Sequence, residues 1–468
     1  MKNVALLCFF TILSSLNLPA QTITGTWNGL LKVQGTELRI VFNITKTEAG
    51  YSSTMDSPDQ GVKGIPVTLT KFEDPVLKLE ISNARIEYEG TLVKSNTELM
   101  GTFKQGGQSF PLNLSRKEVE KAKLSRPQEP TKPYPYYSEE ITFENKKDNI
   151  TLAGTLTLPQ KDGNFPVVVL ITGSGPQNRD EALLGHKPFL VLADHLTKNG
   201  IAVLRFDDRG TAMSKGDFRT ATTEDFARDV EFAVEYLKTR KEINKKKIGL
   251  IGHSEGGIIA PMVAANSKDI RFIVLLAGTG INGGELLLLQ QELIGRANGT
   301  SEADIEKTKI ANKAAFDIVR KSNNLDKIKA GIANNIRQEF KDNPQTELPQ
   351  GMSEDEIIRM QIEQLTSPWM LYFIKHEPAA VLQKVHCPVL AINGEKDLQV
   401  PPKENLKTIK AALAKGKNKN VTIKEMPNLN HLFQECTTGS PSEYSEIEQT
   451  FSPIALDEIT NWVVKQVK

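Results

Sequence analysis

A serine flanked by glycines has the clearest capacity for chemistry in this 468-residue chain. Ser254 is the centre of a Gly-His-Ser-Glu-Gly segment at 252–256, directly after the apolar run 247–251 and before an apolar helical pattern. Glycines two residues either side of a serine permit the tight strand-to-helix turn that lifts its hydroxyl above a sheet. The pattern predicts a nucleophile, and an ordinary glycine-rich loop is the alternative.

A serine hydroxyl becomes a useful nucleophile only when a base takes its proton and an acid orients that base. On this type of sheet the chain order is serine, acid, histidine. His431 follows the last predicted strand, and a structural histidine is the alternative interpretation. Asp397 and Glu395 both follow the preceding strand; Asp397 is preferred and Glu395 is kept as the alternative. The predicted triad is Ser254, Asp397 and His431.

The oxyanion formed during acyl transfer needs two preorganised donors. We expect one to be the backbone N–H of Glu255, at the start of a helix. The second should come from the Thr-Gly-Ser-Gly-Pro loop at 172–176, with the backbone of Ser174 as first choice and Gly175 as second. The Glu255 side chain is interpreted as a partner of the helix dipole.

Three further side chains are candidates for the substrate pocket. Trp369 and Phe373 belong to an aromatic-rich cluster that could line an acyl site or pack among the helices around it. Arg209 lies in the Asp-Asp-Arg-Gly segment 207–210, after the second parallel strand. It could bind substrate, but a buried ion pair that braces the active-site loops is the favoured interpretation.

The surrounding pattern predicts an α/β fold preceded by a small all-β domain, either a barrel or a sandwich. Residues 21–116 alternate short β-type runs, including 38–44, 67–69, 77–81 and a hairpin across 106–107. Residues 117–137 form a proline-rich linker, and residues 138–468 alternate strands and helices. Such alternation with continuous apolar strands indicates a doubly wound, mostly parallel sheet. A helical insertion at about 281–385 is interpreted as a cap over its functional edge.

The elements of the second domain are predicted from apolar runs and helical periodicity. An opening hairpin is expected at 141–143 and 151–158. Parallel strands are expected at 166–171, 201–206, 247–251, 272–276, 388–392 and 421–425, and helices at 189–198, 223–239, 258–266, 402–414 and 454–467.

With these residues placed, the part from about 138 to 468 resembles the α/β-hydrolase superfamily, within it the bacterial secreted carboxylesterase-like branch related to the prolyl oligopeptidase family. The segments that carry the resemblance are 173–180, 206–210, 252–257 and 430–434. It implies hydrolysis of esters through an acyl-enzyme. About 95 residues of β-structure cannot build a four-bladed propeller, which favours an esterase over an oligopeptidase. A serine peptidase or aminoacyl hydrolase with the same triad, and a non-catalytic binding protein on this scaffold, remain alternatives.

Composition and motifs argue against several classes of ligand. Apolar residues make up 39% and charged residues 25%, with 58 basic against 57 acidic side chains, so nothing favours nucleic acid. The Gly-x-Gly-x-x-Gly pattern at 278–283 follows the fourth parallel strand rather than the first, which argues against a dinucleotide. No metal and no cofactor are expected. The expected ligand is a small-molecule ester, and the oligomeric state is left open.

Residues 1–20 read as a signal peptide, with Lys2, an apolar run at 4–13 and Ala20 before the cleavage point. We therefore expect a periplasmic or secreted protein without a membrane span. Cys387 and Cys436 are expected at opposite ends of the sheet, so a disulfide between them is not favoured.

Overall fold

The computed structural model describes residues 23–33, 36–48, 50–60, 62–93, 96–105, 108–119, 125–342 and 353–468. These residues fall into two compact units, one up to residue 119 and one from residue 125 onward. The predicted signal peptide at 1–20 lies outside the described residues. In the part of the chain that is described, no helix is long and apolar enough to cross a membrane.

The first unit is an antiparallel β-sheet. Its strands are β1 (Gly25–Val33), β2 (Thr36–Thr47), β3 (Gly50–Ser57), β4 (Val62–Pro66), β5 (Leu69–Glu73), β6 (Val76–Ile81), β7 (Ile86–Leu92), β8 (Glu98–Gln105), β9 (Gln108–Pro111) and β10 (Leu114–Ser115). They pair in the order β4-β3-β2-β1-β10-β8-β7-β6-β5, with β9 on β8. Inward-facing side chains of the alternating pattern form an apolar core that includes Trp27, Phe42 and Phe103.

Most of the predicted β-pattern is confirmed in this unit. The hairpin across 106–107 is the β8–β9 pair, in which Gln105 lies opposite Gln108. The predicted strand at 67–69 is wrong, because the chain leaves one strand at Pro66 and starts the next at Leu69. Ser53 Oγ and Thr70 Oγ1 lie 2.7 Å apart, so β5 comes beside β3 and the sheet curls toward a barrel.

The second unit contains the mixed sheet that the alternating pattern predicts. Its strands are β11 (Tyr137–Asn145), β12 (Ile150–Leu158), β13 (Phe165–Ile171), β14 (Ala202–Phe206), β15 (Ile243–His253), β16 (Ile270–Leu276), β17 (Val389–Gly394) and β18 (Val421–Met426). The order is β11-β12-β14-β13-β15-β16-β17-β18. The strands from β14 to β18 are parallel, whereas β12 is antiparallel to both neighbours. The doubly wound α/β-hydrolase prediction is confirmed.

Helices cover both faces of this sheet and fill one long insertion. They are α1 (Pro188–Lys198), α2 (Thr223–Thr239), α3 (Gly256–Asn266), α4 (Gly283–Ala297), α5 (Glu302–Lys321), α6 (Leu325–Asp342), α7 (Glu354–Leu365), α8 (Pro368–Lys375), α9 (Pro378–Leu382), α10 (Pro402–Lys415) and α11 (Pro453–Val467). Helices α2, α3 and α10 pack on one face, and α1 with α11 on the other. Helices α4 to α9 all lie between β16 and β17, so the predicted helical insertion is confirmed.

One asparagine fastens the start of the insertion to the end of α8. The Asn282 Oδ1 accepts the N–H of Gly284 at the start of α4, at 2.9 Å. Its Nδ2 donates to the carbonyls of Ile374 and His376 at the end of α8, at 3.0 and 2.9 Å. The side chain is buried, so these bonds form away from competing water.

The connection between the two units carries no regular structure in its described residues. Neither helix nor strand occurs between Ser115 and Tyr137 there. The domain boundaries stated above remain predictions. The thiols of Cys387 and Cys436 are unpaired.

Candidate active site

The turn around Ser254 is as tight as the glycine spacing predicts. Ser254 has a φ of 53°, between the end of β15 and the start of α3. A Cβ on Gly252 would lie 1.9 Å from the carbonyl oxygen of Gly256. A Cβ on Gly256 would lie 2.2 Å from that of Ile171. A side chain at either position would therefore force the strand and the helix apart. With glycine at both positions the turn can close, and Ser254 is partly exposed.

The loop after β17 holds Asp397 in a fixed orientation. Its carboxylate is 1% exposed. Oδ1 accepts the backbone N–H groups of Gln399 and Val400, both at 2.8 Å. Oδ2 lies 2.8 Å from Nδ1 of His431. Glu395 is exposed instead and accepts a backbone N–H from another loop. Of the two predicted carboxylates, the structure brings Asp397 to the histidine.

His431 lies in the loop after β18 and is 4% exposed. Because Nδ1 faces the carboxylate of Asp397, the proton of the neutral ring is held there and Nε2 carries the lone pair. The ring of His431 lies 4.7 Å, centroid to centroid, from the ring of His253, which precedes Ser254. The loop that carries the histidine therefore lies beside the nucleophile turn.

The predicted oxyanion donors flank the same turn. Glu255 is the N-terminal cap residue of α3, where backbone amides have no intrahelical acceptor. In the loop after β13, the N–H of Gly173 donates to Glu181 Oε1 at 2.7 Å, so this amide is occupied. A Cβ on Gly173 would lie 3.3 Å from Cβ of Ser254, which puts the loop against the serine. Ser174 and Gly175 follow directly in that loop.

The side chain of Glu255 does not act as the sequence interpretation held. It makes no capping hydrogen bond to α3 and is only 3% exposed. Its Oε1 accepts the hydroxyl of Thr223 at 2.6 Å and the indole N–H of Trp369 at 2.8 Å. Burial raises the pKa of this carboxyl, although the two hydrogen bonds oppose the shift. The helix-dipole interpretation is wrong, because the carboxyl joins the nucleophile turn to the cap.

The two aromatic candidates stack on each other in the cap. The rings of Trp369 and Phe373 lie 4.9 Å apart with an interplanar angle of 14°. Phe373 is buried in an apolar cluster with Ile258 of α3 and Val400 from the acid loop. Trp369 is partly exposed and packs against the same cluster. The pair thus lies between the cap and the elements that carry Ser254 and Asp397.

Arg209 is held in a buried ion-pair network. Its Nε and Nη2 donate to the two carboxylate oxygens of Asp229 at 2.7 and 2.8 Å, and Nη2 also donates to Asp148 at 2.8 Å. The residue is 7% exposed. Nε and Nη2 are engaged with buried carboxylates, so the structure corrects the assignment of Arg209 to the substrate pocket and agrees with the ion-pair interpretation.

Sequence reasoning missed two residues next to the site. They are His253 and Glu181: Nδ1 of His253 lies 2.9 Å from Glu181 Oε1, and its Nε2 lies 3.0 Å from the carbonyl oxygen of His431. Burial works against protonation of His253, but Glu181, the backbone carbonyl of His431 and Asp397 together outweigh it and the pKa is raised. The available signal was position, since His253 lies inside the serine motif.

The glycines at 278–283 serve close packing. A Cβ on Gly257 would lie 2.5 Å from Cα of Gly278, and Gly280 donates its N–H to Asn405 at 2.8 Å. Among the residues that the structure describes, no cluster of three or more histidine, cysteine, aspartate or glutamate side chains is arranged to hold a metal ion.

A small cavity lies below the nucleophile turn. It measures about 10 Å³, about enough for one water molecule, and its lining includes Thr172, Asp208 and Glu255. Asp208 accepts the Thr172 hydroxyl at 2.7 Å, and burial raises the pKa of its carboxyl well above the ordinary value. Asp229, another buried residue of the lining, is the third carboxyl group around this internal space.

Comparison with known proteins places the catalytic part in a family. Residues 148–424, more than half of the chain, match the X-Pro dipeptidyl-peptidase (S15 family). The chain is 29% identical over 339 residues to esterase EstD of Thermotoga maritima, which covers 71% of this chain and 70% of that protein. It is 32% identical over 143 residues to human acyl-coenzyme A thioesterase 1, across 30% of each chain. A solved esterase of Pyrococcus furiosus has a TM-score of 0.42 and 16% identity, covering 75% of this chain and all of that one.

Proposed function

Because the chain belongs to the X-Pro dipeptidyl-peptidase (S15) family of α/β-hydrolases, we propose that it is a serine hydrolase that cleaves carboxylic esters through an acyl-enzyme. The observation that carries the proposal is the 2.8 Å contact between Asp397 and His431, on the two loops that follow β17 and β18. The tight turn at Ser254 supports the same assignment. The ring of His431 also lies 4.7 Å from the ring of His253, the residue that precedes the serine. The similarity to an esterase over 71% of the chain favours esters as substrates.

In this proposal Ser254 Oγ attacks the ester carbonyl carbon while its proton passes to Nε2 of His431. Asp397 stays ionised and stabilises the imidazolium that forms. The tetrahedral oxygen is bound by the backbone N–H groups of Glu255 and Ser174, with Gly175 as the second choice. Each such donor contributes about 10²–10³-fold to kcat in related chemistry.

The tetrahedral intermediate then collapses and expels the alcohol, which takes the proton from His431. A water molecule enters, loses a proton to the same nitrogen and attacks the acyl carbon. The second collapse releases the carboxylic acid and returns the proton to Ser254. The stacked pair Trp369 and Phe373 is the proposed wall for the acyl chain, since it joins the cap to the cluster beside the acid loop.

The test uses short-chain p-nitrophenyl esters. The wild type should release p-nitrophenol with a burst, and Ser254→Ala should lower kcat by about 10⁴-fold or more. Ser267→Ala, at the far end of α3, is the matched control and should leave kcat unchanged. Equal turnover by the wild type and Ser254→Ala would contradict the proposal.

A peptidase is the second candidate, favoured by the family's description as X-Pro dipeptidyl-peptidases. It would use the same three residues and expel an amine instead of an alcohol. Turnover of an X-Pro p-nitroanilide faster than p-nitrophenyl esters would favour this candidate over the esterase. A fluorophosphonate probe that fails to label Ser254 in folded protein would favour a non-catalytic binding role.

We also propose that the chain is exported, on the basis of residues 1–20. Expression in a bacterial host should yield a mature protein that begins at Gln21 in the periplasm or the medium. An uncleaved protein that stays in the cytoplasm would contradict export and leave the catalytic proposal untouched.

A further inference from the structure

A buried acid and a buried histidine lie next to the proposed triad without a role in its proton transfers. Glu181 is 4% exposed and follows β13 in the segment leading to α1. His253 is 6% exposed and is the last residue of β15. Buried ionisable groups are costly unless they are paired and hydrogen-bonded, so a role for the pair should be visible in its contacts.

The contacts of His253 define its protonation state. Nδ1 lies 2.9 Å from Glu181 Oε1, and Nε2 lies 3.0 Å from the carbonyl oxygen of His431. Both partners are acceptors. A neutral imidazole carries only one N–H and would turn a lone pair toward one of these oxygens. The imidazolium is the form that makes both hydrogen bonds.

The charged surroundings favour the same form. The titratable groups that face His253 are Glu181 from the segment after β13, Asp397 from the loop after β17 and His431 from the loop after β18. Burial disfavours the imidazolium, whereas the two carboxylates favour it, and Glu181 contributes most of their effect. Asp397 already has its own partner in His431, so Glu181 is the counter-charge of His253.

The same pair connects three loops of the site. Glu181 Oε1 also accepts the N–H of Gly173, at 2.7 Å, in the loop proposed to bind the oxyanion. His253 reaches from this oxygen to the backbone of His431. Glu181 adopts a φ of 51°, a conformation that a residue with a side chain keeps only when its surroundings impose it.

We propose that Glu181 and His253 are a charged positioning pair, a carboxylate and an imidazolium that hold the oxyanion loop and the backbone of His431 in place around Ser254. The proposal rests on the proposed function, because it assigns the pair a role in that same site. Neither residue touches the reacting atoms. The pair is neutral as a whole, so it aligns His431 without changing the charge around it.

The protonation state can be tested without any enzyme activity. In ¹⁵N-histidine-labelled protein, one side chain should keep both ring nitrogens protonated at pH values above the ordinary histidine value of about 6.5. That signal should disappear in His253→Gln. In Glu181→Gln it should change to a neutral tautomer near neutral pH. A neutral His253 in the wild type at pH 7 would overturn the proposal.

The positioning role is tested by the pH profile of kcat/KM for a p-nitrophenyl ester. Its acid limb reports the ionisation of the proposed base. His253→Gln leaves a bare carboxylate near His431, so the limb should move to higher pH. Glu181→Gln/His253→Gln removes both charges, so the limb should return to its wild-type position while kcat stays about 10- to 100-fold low from lost alignment.

A merely structural role would lower kcat in both variants and leave the acid limb in place, and that result would overturn the proposal. His195→Gln, on the outer helix α1, is the matched histidine control and should leave both the limb and kcat unchanged. If His253→Gln does not fold, Glu181→Gln and its histidine spectrum decide the matter. If the wild type shows no Ser254-dependent turnover, the proposed function fails while the spectrum still tests the charged pair.

Discussion

Replacing Asp397 by asparagine should preserve the shape of the site and still remove most of the activity. The reason lies in the two backbone N–H groups, of Gln399 and Val400, that point at Oδ1. An asparagine must turn its oxygen toward these donors. Its NH₂ group then faces Nδ1 of His431, which must become an acceptor. The ring proton moves to Nε2, the nitrogen that should take the proton from Ser254.

The structure sets the size of this effect. If the amide turned the other way, its NH₂ group would face the two backbone N–H donors, which would lose their acceptor. Each unsatisfied N–H group costs about 1–3 kcal/mol, which makes roughly 2–6 kcal/mol for the two. A tenfold change corresponds to about 1.4 kcal/mol, so this penalty holds the wrong tautomer by a factor of up to about 10⁴. We expect kcat/KM at neutral pH to fall by about 10⁴-fold, as the same change does in other serine triads.

The assay is kcat/KM with p-nitrophenyl butyrate, together with thermal unfolding of each variant. Asp397→Asn should unfold close to the wild type, because all three hydrogen bonds are kept in number. Glu395→Gln is the matched control; its side chain is exposed, so activity should change by no more than about twofold. Retention of more than a tenth of the activity in Asp397→Asn, or an equal loss in Glu395→Gln, would refute the reasoning.

Three further predictions concern side chains around the site. Arg209→Met leaves Asp229 buried without its arginine partner. The free energy of unfolding, measured in urea, should fall by about 3–5 kcal/mol, while kcat per folded enzyme should not change. Unchanged stability together with a raised KM would instead support a role of Arg209 in the substrate pocket. Trp369→Phe keeps the stacked ring but removes the N–H that Glu255 accepts, so KM should rise more for long acyl chains than for acetyl, and equal changes would exclude a pocket wall. The pKa of Glu255 is raised in the folded state, so its contribution to stability is full below the unfolded value near 4.5 and is lost as pH rises through the folded value. The free energy of unfolding of the wild type relative to Glu255→Gln should therefore fall with rising pH, and a rise would contradict this.

The inner parallel strands could be predicted from sequence because they are buried on both faces. Strand β13 and residues 272–276 of β16 therefore read as uninterrupted apolar runs that stand out from the helices between them. The exchange of β13 and β14 in the sheet order could not be predicted in the same way. Strand order depends on which edges pair, and apolar runs of similar composition carry no mark of their neighbours.

The same distinction, between what strand order indicates and what only contacts in the folded chain reveal, applies to the candidate site. Ser254, Asp397 and His431 could be proposed from the sequence because each follows a strand whose place in the series can be counted. The Glu181–His253 contact joins residues 72 positions apart, one of them in an irregular segment. A buried charge in a loop leaves no periodic trace, and its partner is known only once the chain is folded. The Glu255 side chain was misjudged for this reason, since its contact with Trp369 spans 114 positions.

The double attachment of Asn282 also bears on how such a chain can diversify. One amide ties the first turn of the insertion to the end of α8, so a single side chain holds the start of α4 and the end of α8 together. Substitutions within the helices between these two ends, α5 to α7, can then accumulate while this attachment is kept. The segment from α4 to α8 is therefore a natural unit for recombination and for laboratory grafting between relatives.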